Sequence, residues 1–553
     1  MNLTRRSFGI LAGSAVVAET LLSRNVAIAE PPAQDSLTGL TLAEVSAMIH
    51  AGKVTSTQLT RACLDRIAIY GPKLNCFITV MADKALAQAA VLDAEQKAGK
   101  FRGPLHGIPI ALKDNIDTAG TLTTAASGVF RDRVPAEDAP VVTRLVAAGA
   151  VIIGKTNLHE FAFSTGEVSY FGPPRNPWNL ANNTGGSSSG SGAAVSADLC
   201  YSALGTDTGG SIRMPSAYCA DVGMMPTYGL VPIRGIAPLR ASLDHCGPLS
   251  KTVEDAAMVL NAIAGYDKRD IFSVDHPKED YVAGMKQPIS GIRLGIPKGA
   301  LEIAAPGAAG AGGGSGGGYS AARPSEEVVA IVKTAIDLLG TMTAGPAKEV
   351  TLPSTAGMSM NAETMAYHEE YFRAKSDLYQ PTTRKTLEGI DLTHQSAEDY
   401  IRARWAMEDL RRTIDDAFTD FDLVVMATAK NEPPALNDML KRNMQNVQGL
   451  LPAGSGPGGA GGAAGPGGAA GGAGGGGGTF GMSAYDTYGV PSLSIPCGFT
   501  KDGLPVGLMI CGPHFSESKI FALAAAYQKA TKWHLMKPPI TPDTVVPPLI
   551  THL

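Results

Sequence analysis

Apolar and polar positions along this chain change period several times, and each change marks an element. After Ser56, the residues Leu59, Cys63 and Ile67 recur at helical intervals, and Ala85–Lys97 continues the same pattern. Upstream, Thr41-Leu42-Ala43-Glu44 has capping-box spacing, which satisfies the free N–H groups of a helix start. HGIPIALKDNI (residues 106–116) is apolar without alternation and predicts a buried strand running into a loop that carries Lys113. Val141–Ala148 predicts a helix and Ala150–Ile153 a short buried strand. Farther on, Met358–Tyr379 and Ala397–Phe421 read as helices and DLVVMAT (422–428) as a buried strand. VPSLSIPCGF (490–499) and GLPVGLMICG (503–512) read as paired strands joined by a turn at Lys501-Asp502-Gly503. IFALAAAYQKAT (520–531) reads as a closing helix. Alternation of strands and helices at these lengths predicts the α/β class.

Two stretches break the pattern. Residues 304–318 (AAPGAAGAGGGSGGG) and 452–478 (PAGSGPGGAGGAAGPGGAAGGAGGGGG) contain only Gly, Ala, Ser and Pro, and they hold 24 of the 65 glycines. Such segments bury too little apolar surface to offset ordering of the backbone, so disorder is expected, whether they are native insertions or stand in for other loops. At 44% hydrophobic and 18% charged residues the whole chain is that of a globular protein. Its net charge of −5 argues against nucleic acid or an acidic membrane surface as the main partner. The seven cysteines lack CxxC spacing, which indicates neither a zinc site nor a disulfide framework. No HExxH or comparable spacing occurs, so neither a metal nor a cofactor is expected.

The first residues, MNLTRRSFGILAGSAVVAETLLSRNVAIAE, place Arg5-Arg6 and Phe8 ahead of an apolar run. Ala27-Ile28-Ala29 then offers a small-residue cleavage site before Glu30. This pattern predicts a twin-arginine signal peptide over 1–29 and a periplasmic or secreted mature chain from Glu30. The run is too short and interrupted to predict a membrane span.

Several motifs match chemistry that their context rejects. GAVIIGKT (149–156) satisfies GxxxxGK[ST], but a phosphate loop needs pliable backbone between its glycines, and AVII is a buried, β-branched strand. Gly186-Ser187-Ser188-Ser189-Gly190 satisfies the GxSxG of a nucleophile elbow, yet RNPWNLANNTG before it is polar and turn-rich rather than a strand. Ser516-Glu517-Ser518-Lys519 has SxxK spacing without SDN or KTG partners and reads as helix surface. His106, His159 and His245 read as structural.

The Gly/Ser cluster at 205–211 is different. Apolar Tyr201–Leu204 leads into Gly205-Thr206-Asp207-Thr208-Gly209-Gly210-Ser211, and IRMPSAYC follows with helix-compatible spacing. Pro215 falls near the first turn, where proline is tolerated. Ser211 therefore lies among unpaired N–H groups able to stabilise an oxyanion. By spacing alone a phosphate-binding or purely structural glycine loop stays open as the alternative.

IPIALKDNID (108–117), GGSSSGSGAAV (185–195) and GTDTGGSIRMPSAYC (205–219) together resemble the amidase signature family. The resemblance continues through GKTNLHEFAFST (154–165), MMPTYGLVP (224–232) and the two C-terminal strands. It implies one α/β/α domain over residues 30–553, with a mixed central sheet covered by helices on both faces. It also implies a Ser–cis-Ser–Lys triad: Ser211 as nucleophile, Ser187 as bridging serine after a cis peptide, and Lys113 as base. The backbone amides of Thr208, Gly209, Gly210 and Ser211 would form the oxyanion hole. Bringing a lysine from about 10.4 to about 7 takes roughly 4 kcal/mol of destabilisation of its charged form. IPIALKDNI supplies the apolar setting, although Asp114 would oppose the shift if it faced Lys113. Asp207 and Arg213 are expected to pair and hold the loop. Ser189 and Ser191 stand where small residues are expected and should be tolerated. The glycine run at 452–478 precedes the strands where the family builds part of its acyl pocket.

The expected activity is that of a serine amidase. It hydrolyses a small carboxylic amide, non-peptide or peptide-terminal, to the acid plus ammonia or an amine. The expected partner is a small-molecule amide, with the protein a monomer or homodimer. An esterase or carbamate hydrolase using the same triad is the nearest alternative. A glutaminase component of a tRNA amidotransferase is another, against which the export signal speaks because its tRNA partner is cytoplasmic. An inactive periplasmic amide-binding protein is a third, against which the joint presence of Lys113, Ser187 and Ser211 speaks.

Overall fold

Strands covered on both faces have no wet side, so they read as apolar runs rather than as alternation. The computed structural model of the chain bears this out, and it describes residues 37–163, 169–303, 325–393, 395–449 and 481–550. The twin-arginine stretch and the segments 304–318 and 452–478 lie outside the described residues.

Eleven strands form a single sheet in the order β1-β3-β2-β4-β6-β5-β10-β11-β9-β7-β8. They are β1 (Phe77–Val80), β2 (Pro109–Lys113), β3 (Val151–Thr156), β4 (Ser202–Asp207), β5 (Val222–Met225) and β6 (His245–Ser250). The rest are β7 (Leu294–Pro297), β8 (Lys348–Val350), β9 (Leu423–Ala427), β10 (Ser492–Phe499) and β11 (Pro505–Cys511). β2 runs parallel to both β3 and β4, and β7 parallel to β8 and β9. The other pairings are antiparallel, so the sheet is mixed.

Alternate residues of the sheet feed two cores. Leu423, Val425, Leu508 and Ile510 pack with Val332 and Ile336 of the helix Glu326–Met342 and with Leu523 of the helix Glu517–Thr531. Their neighbours Val424, Met426, Met509 and Cys511 pack instead with Leu410 of the helix Ala397–Thr413 and with Tyr485 and Tyr488. A period of two along each strand thus puts helices on both faces.

Local signals agree with this frame. Thr41 and Glu44 close the expected capping box, and Thr55 with Gln58 closes a second one ahead of the helix Ser56–Leu74, whose buried side includes Leu59, Cys63 and Ile67. Residues 151–156 of the 149–156 motif are strand β3, buried throughout. The helix expected over 358–379 is Asn361–Lys375 followed by a short 3-10 turn, and that over 397–421 ends at Thr413 before another. One placement is corrected: Lys113 is the last residue of β2, not part of the loop beyond it. All seven cysteines are free and buried. Among the described residues no helix is long and apolar enough to cross a membrane.

Candidate active site

β2 and β4 lie side by side and parallel, so both of their carboxyl ends open on one edge of the sheet. That edge is where side chains and loops converge in open α/β sheets. The end of β2 delivers Lys113, and the end of β4 delivers Thr206 and Asp207, with Ser211 on the turn before the helix Arg213–Cys219. Lys113 is wholly buried. Its Nζ lies 2.8 Å from Ser187 Oγ and 2.7 Å from Thr206 Oγ1. Burial pulls its amine down from the ordinary lysine value to about 7, against the opposing charges of Asp207 and Asp244. Asp114 does not interfere, because it faces the other way: it lies 3.5 Å from Lys155 and accepts from the N–H and hydroxyl of Thr124. Lys155, the lysine of the rejected phosphate-loop motif, is its structural counter-ion.

The first serine cluster is held against β4 by its own hydroxyls. Ser188 Oγ donates to the Thr206 carbonyl and accepts from the Thr206 N–H, while Ser191 Oγ donates to the Leu204 carbonyl. Both serines therefore dock the helix Ser189–Ser196 onto the strand and neither is exposed, which removes the elbow reading of GxSxG. The Gly186–Ser187 peptide is cis. A Cβ on Gly186 would run into the His159 imidazole, so this approach of backbone to ring requires glycine. The backbone N–H of Ser188 donates to the Ser211 carbonyl at 3.1 Å, which brings the two serine motifs together. Lys113, Ser187 and Ser211 thus share one buried locus. Among the described residues, however, no hydrogen bond joins Ser211 Oγ to Ser187 Oγ or to Lys113 Nζ.

The loop around Ser211 is organised by one carboxylate. Asp207 Oδ1 accepts from the amides of Gly209 and Gly210, and its Oδ2 accepts from those of Ile212 and Arg213. Of the four amides expected in the oxyanion hole, those of Gly209 and Gly210 donate to Asp207, and those of Thr208 and Ser211 are not engaged by it. The expected Asp207–Arg213 pair is present, at 3.0 Å. Arg213 also reaches Asp486 at 2.5 Å and donates to the Met482 carbonyl at 2.9 Å. Burial alone would push Asp207 up, yet Arg213 outweighs it and holds the carboxylate well below its usual range. Asp486 is pushed up, first by burial and then by the neighbouring charge of Asp207, against the pull of Arg213.

Two of the three histidines are weak bases. Burial pulls His159 down to about 3 and His245 to about 4, so both are neutral across ordinary pH. His106 is fixed by the Arg102 amide and the Leu92 carbonyl. The sequence reading missed Thr206, Asp244 and Asp486. Asp486 could have been noticed as the one acidic residue in the buried, aromatic-rich stretch SAYDTYGV, because a charge there requires a partner.

Known proteins resemble this chain over most of their length. The family model described as Amidase matches residues 58–309. The A component of the glutamyl-tRNA(Gln) amidotransferase of Syntrophobacter fumaroxidans is 35% identical over 90% of this chain and 98% of its own length. The native peptide amidase of Stenotrophomonas maltophilia superposes with a TM-score of 0.73 at 31% identity, over 92% of this chain and all of the other. The corresponding A component of the amidotransferase from Thermotoga maritima gives 0.65 at 28% identity, over 91% and 98%. Similarity of this extent settles the kinship that the glycine–serine motifs suggested: the chain belongs to the amidase signature family of enzymes.

Proposed function

We propose that this chain cleaves carboxylic amide C–N bonds through an acyl-enzyme on Ser211. The observation that carries the reading is Lys113, whose buried amine titrates at about 7 while lying 2.8 Å from Ser187 Oγ. A neutral amine there accepts the Ser187 proton as Ser187 takes that of Ser211, and Ser211 Oγ attacks the amide carbon. The developing oxyanion is met by the Thr208 and Ser211 amides. The proton then returns through Ser187 to the leaving nitrogen, the C–N bond breaks, and ammonia or an amine departs. Water repeats the sequence to release the acid.

For the acyl donor, the reading as an amidotransferase A-type glutaminase is better supported than a general small-amide amidase. Its support is near end-to-end similarity to the A components of amidotransferases in several bacteria. A peptide-terminal amide is the second reading, supported by the higher TM-score of the peptide amidase. Export separates the two, since a tRNA-dependent enzyme works in the cytoplasm and the twin-arginine pattern at Arg5-Arg6 favours the periplasm. The test is ammonia release from glutamine and from a C-terminally amidated dipeptide. It is run beside fluorophosphonate labelling of wild type and Ser211→Ala, with cell fractionation of an Arg5→Lys/Arg6→Lys variant. Ammonia from glutamine supports the first reading, and ammonia from the dipeptide alone selects the second. Labelling that survives Ser211→Ala removes both.

A further inference from the structure

Asp207 ties down the nucleophile loop on the far side of Thr208, and the β4–β6 ladder ends on its near side at Asp207 and His245. Thr208 itself is gripped by neither. Its hydroxyl instead donates to Asp244 Oδ1 at 2.5 Å. The same carboxylate accepts from the Arg240 amide at 3.2 Å through Oδ1 and from the Leu239 amide at 3.0 Å through Oδ2. Thr208 and Asp244 are both buried, and a tight turn brings the Asp244 N–H back to the Arg240 carbonyl at 2.9 Å. Burial pushes the Asp244 carboxyl up to about 7, and these three donors oppose that rise.

We infer that Asp244 is a positioning residue that acts through the Thr208 hydroxyl to aim the Thr208 amide at the oxyanion. This rests on the acyl-enzyme reading above. Thr208 and Asp244 then behave as one unit: cutting their hydrogen bond from either end frees the same amide. Fixed donors stabilise a transition state only while they are held in place, and a small displacement costs much of the effect.

The experiment measures fluorophosphonate capture by the full chain, separating kinact from KI, in Thr208→Val, Thr208→Ser, Asp244→Asn and the double variant Thr208→Val/Asp244→Asn. Thr208→Val should lower kinact about 10- to 100-fold with KI unchanged within about twofold. Thr208→Ser, which keeps the hydroxyl, should restore most of it. The double variant should be no slower than the slower single, as expected for two ends of one contact. Full activity in Thr208→Val, a change confined to KI, or losses that multiply in the double variant would overturn the inference. Val and Ser fit the space of Thr, so the Thr208 pair decides the matter even if Asp244→Asn unfolds. Ser211→Ala separates the two levels. Label lost in Ser211→Ala but intact in Thr208→Val sinks only the Asp244 role, whereas label retained in Ser211→Ala sinks the acyl-enzyme itself.

Discussion

A lysine held at about 7 in the folded chain weakens the fold that holds it. Between that value and the unfolded value near 10.5, the unfolded chain binds more protons, so stability rises with pH across this window and the full penalty applies below it. Lys113→Met has no such term. It should be more stable than wild type at pH 7 by on the order of 2–4 kcal/mol, after allowing for the lost hydrogen bonds to Ser187 and Thr206. The gain should vanish as pH approaches 10.5. Denaturant melts at three pH values check this, and a less stable variant at pH 7 would show that Lys113 is not the destabilised group. The same titration sets the rate. kcat/KM should rise with pH through a single ionisation near 7 and then level off, because only the neutral amine accepts a proton. Lys113→Ala should lose about 10²–10⁴-fold and the ionisation with it. Lys113→Arg should not recover it, since a guanidinium stays charged. His159→Gln and His245→Gln should keep the ionisation, because both rings are already neutral. Of these residues, Lys113 and the two serines were named through the family resemblance that their motifs carry, since spacing alone left the glycine loop open to other roles. Thr206, Asp244 and Asp486 were not, because what selects them is a partner distant in sequence.

At the scale of elements, β3 and the residue that follows β2 hold a buried charge pair. Lys155 donates to the Ile116 carbonyl and to Thr123 Oγ1 at 2.9 Å and faces Asp114 at 3.5 Å. Removing one member leaves the other charge buried and alone, so Asp114→Ala should cost about 3–5 kcal/mol. Asp114→Ala/Lys155→Met should recover much of that loss, and equilibrium unfolding of the three proteins measures it. A loss in the double variant as large as that in Asp114→Ala, or larger, would mean that the two residues do not compensate one another. Elements with a strong period were legible, among them the helix Ser56–Leu74 and the pair β10–β11. The inner strands β5 and β6 were not. β6 (HCGPLS) contains a glycine and a proline, both disfavoured inside strands, yet it pairs with both β4 and β5. Tertiary pairing overrides local preference there, and only the neighbours reveal it.

Across the whole molecule, the α/β class and the family were legible, and the strand order was not. β10 follows β5 in the sheet although nearly half of the chain separates them in sequence. No local pattern encodes that neighbour. The placement means that residues 481–550 do not decorate a finished fold: they fill a gap between β5 and β9, and Arg213 clasps them through Met482 and Asp486. An N-terminal piece alone would expose two unpaired strand edges and an arginine without one of its carboxylates. The chain is therefore a natural candidate for fragment complementation. If a protease site is built into 454–476 and cut, the two pieces should co-purify and keep labelling at Ser211. Expressed apart, neither should label, and mixing them should restore the signal. Continuity of the backbone at that point would then be dispensable, and the sheet itself would be the tether.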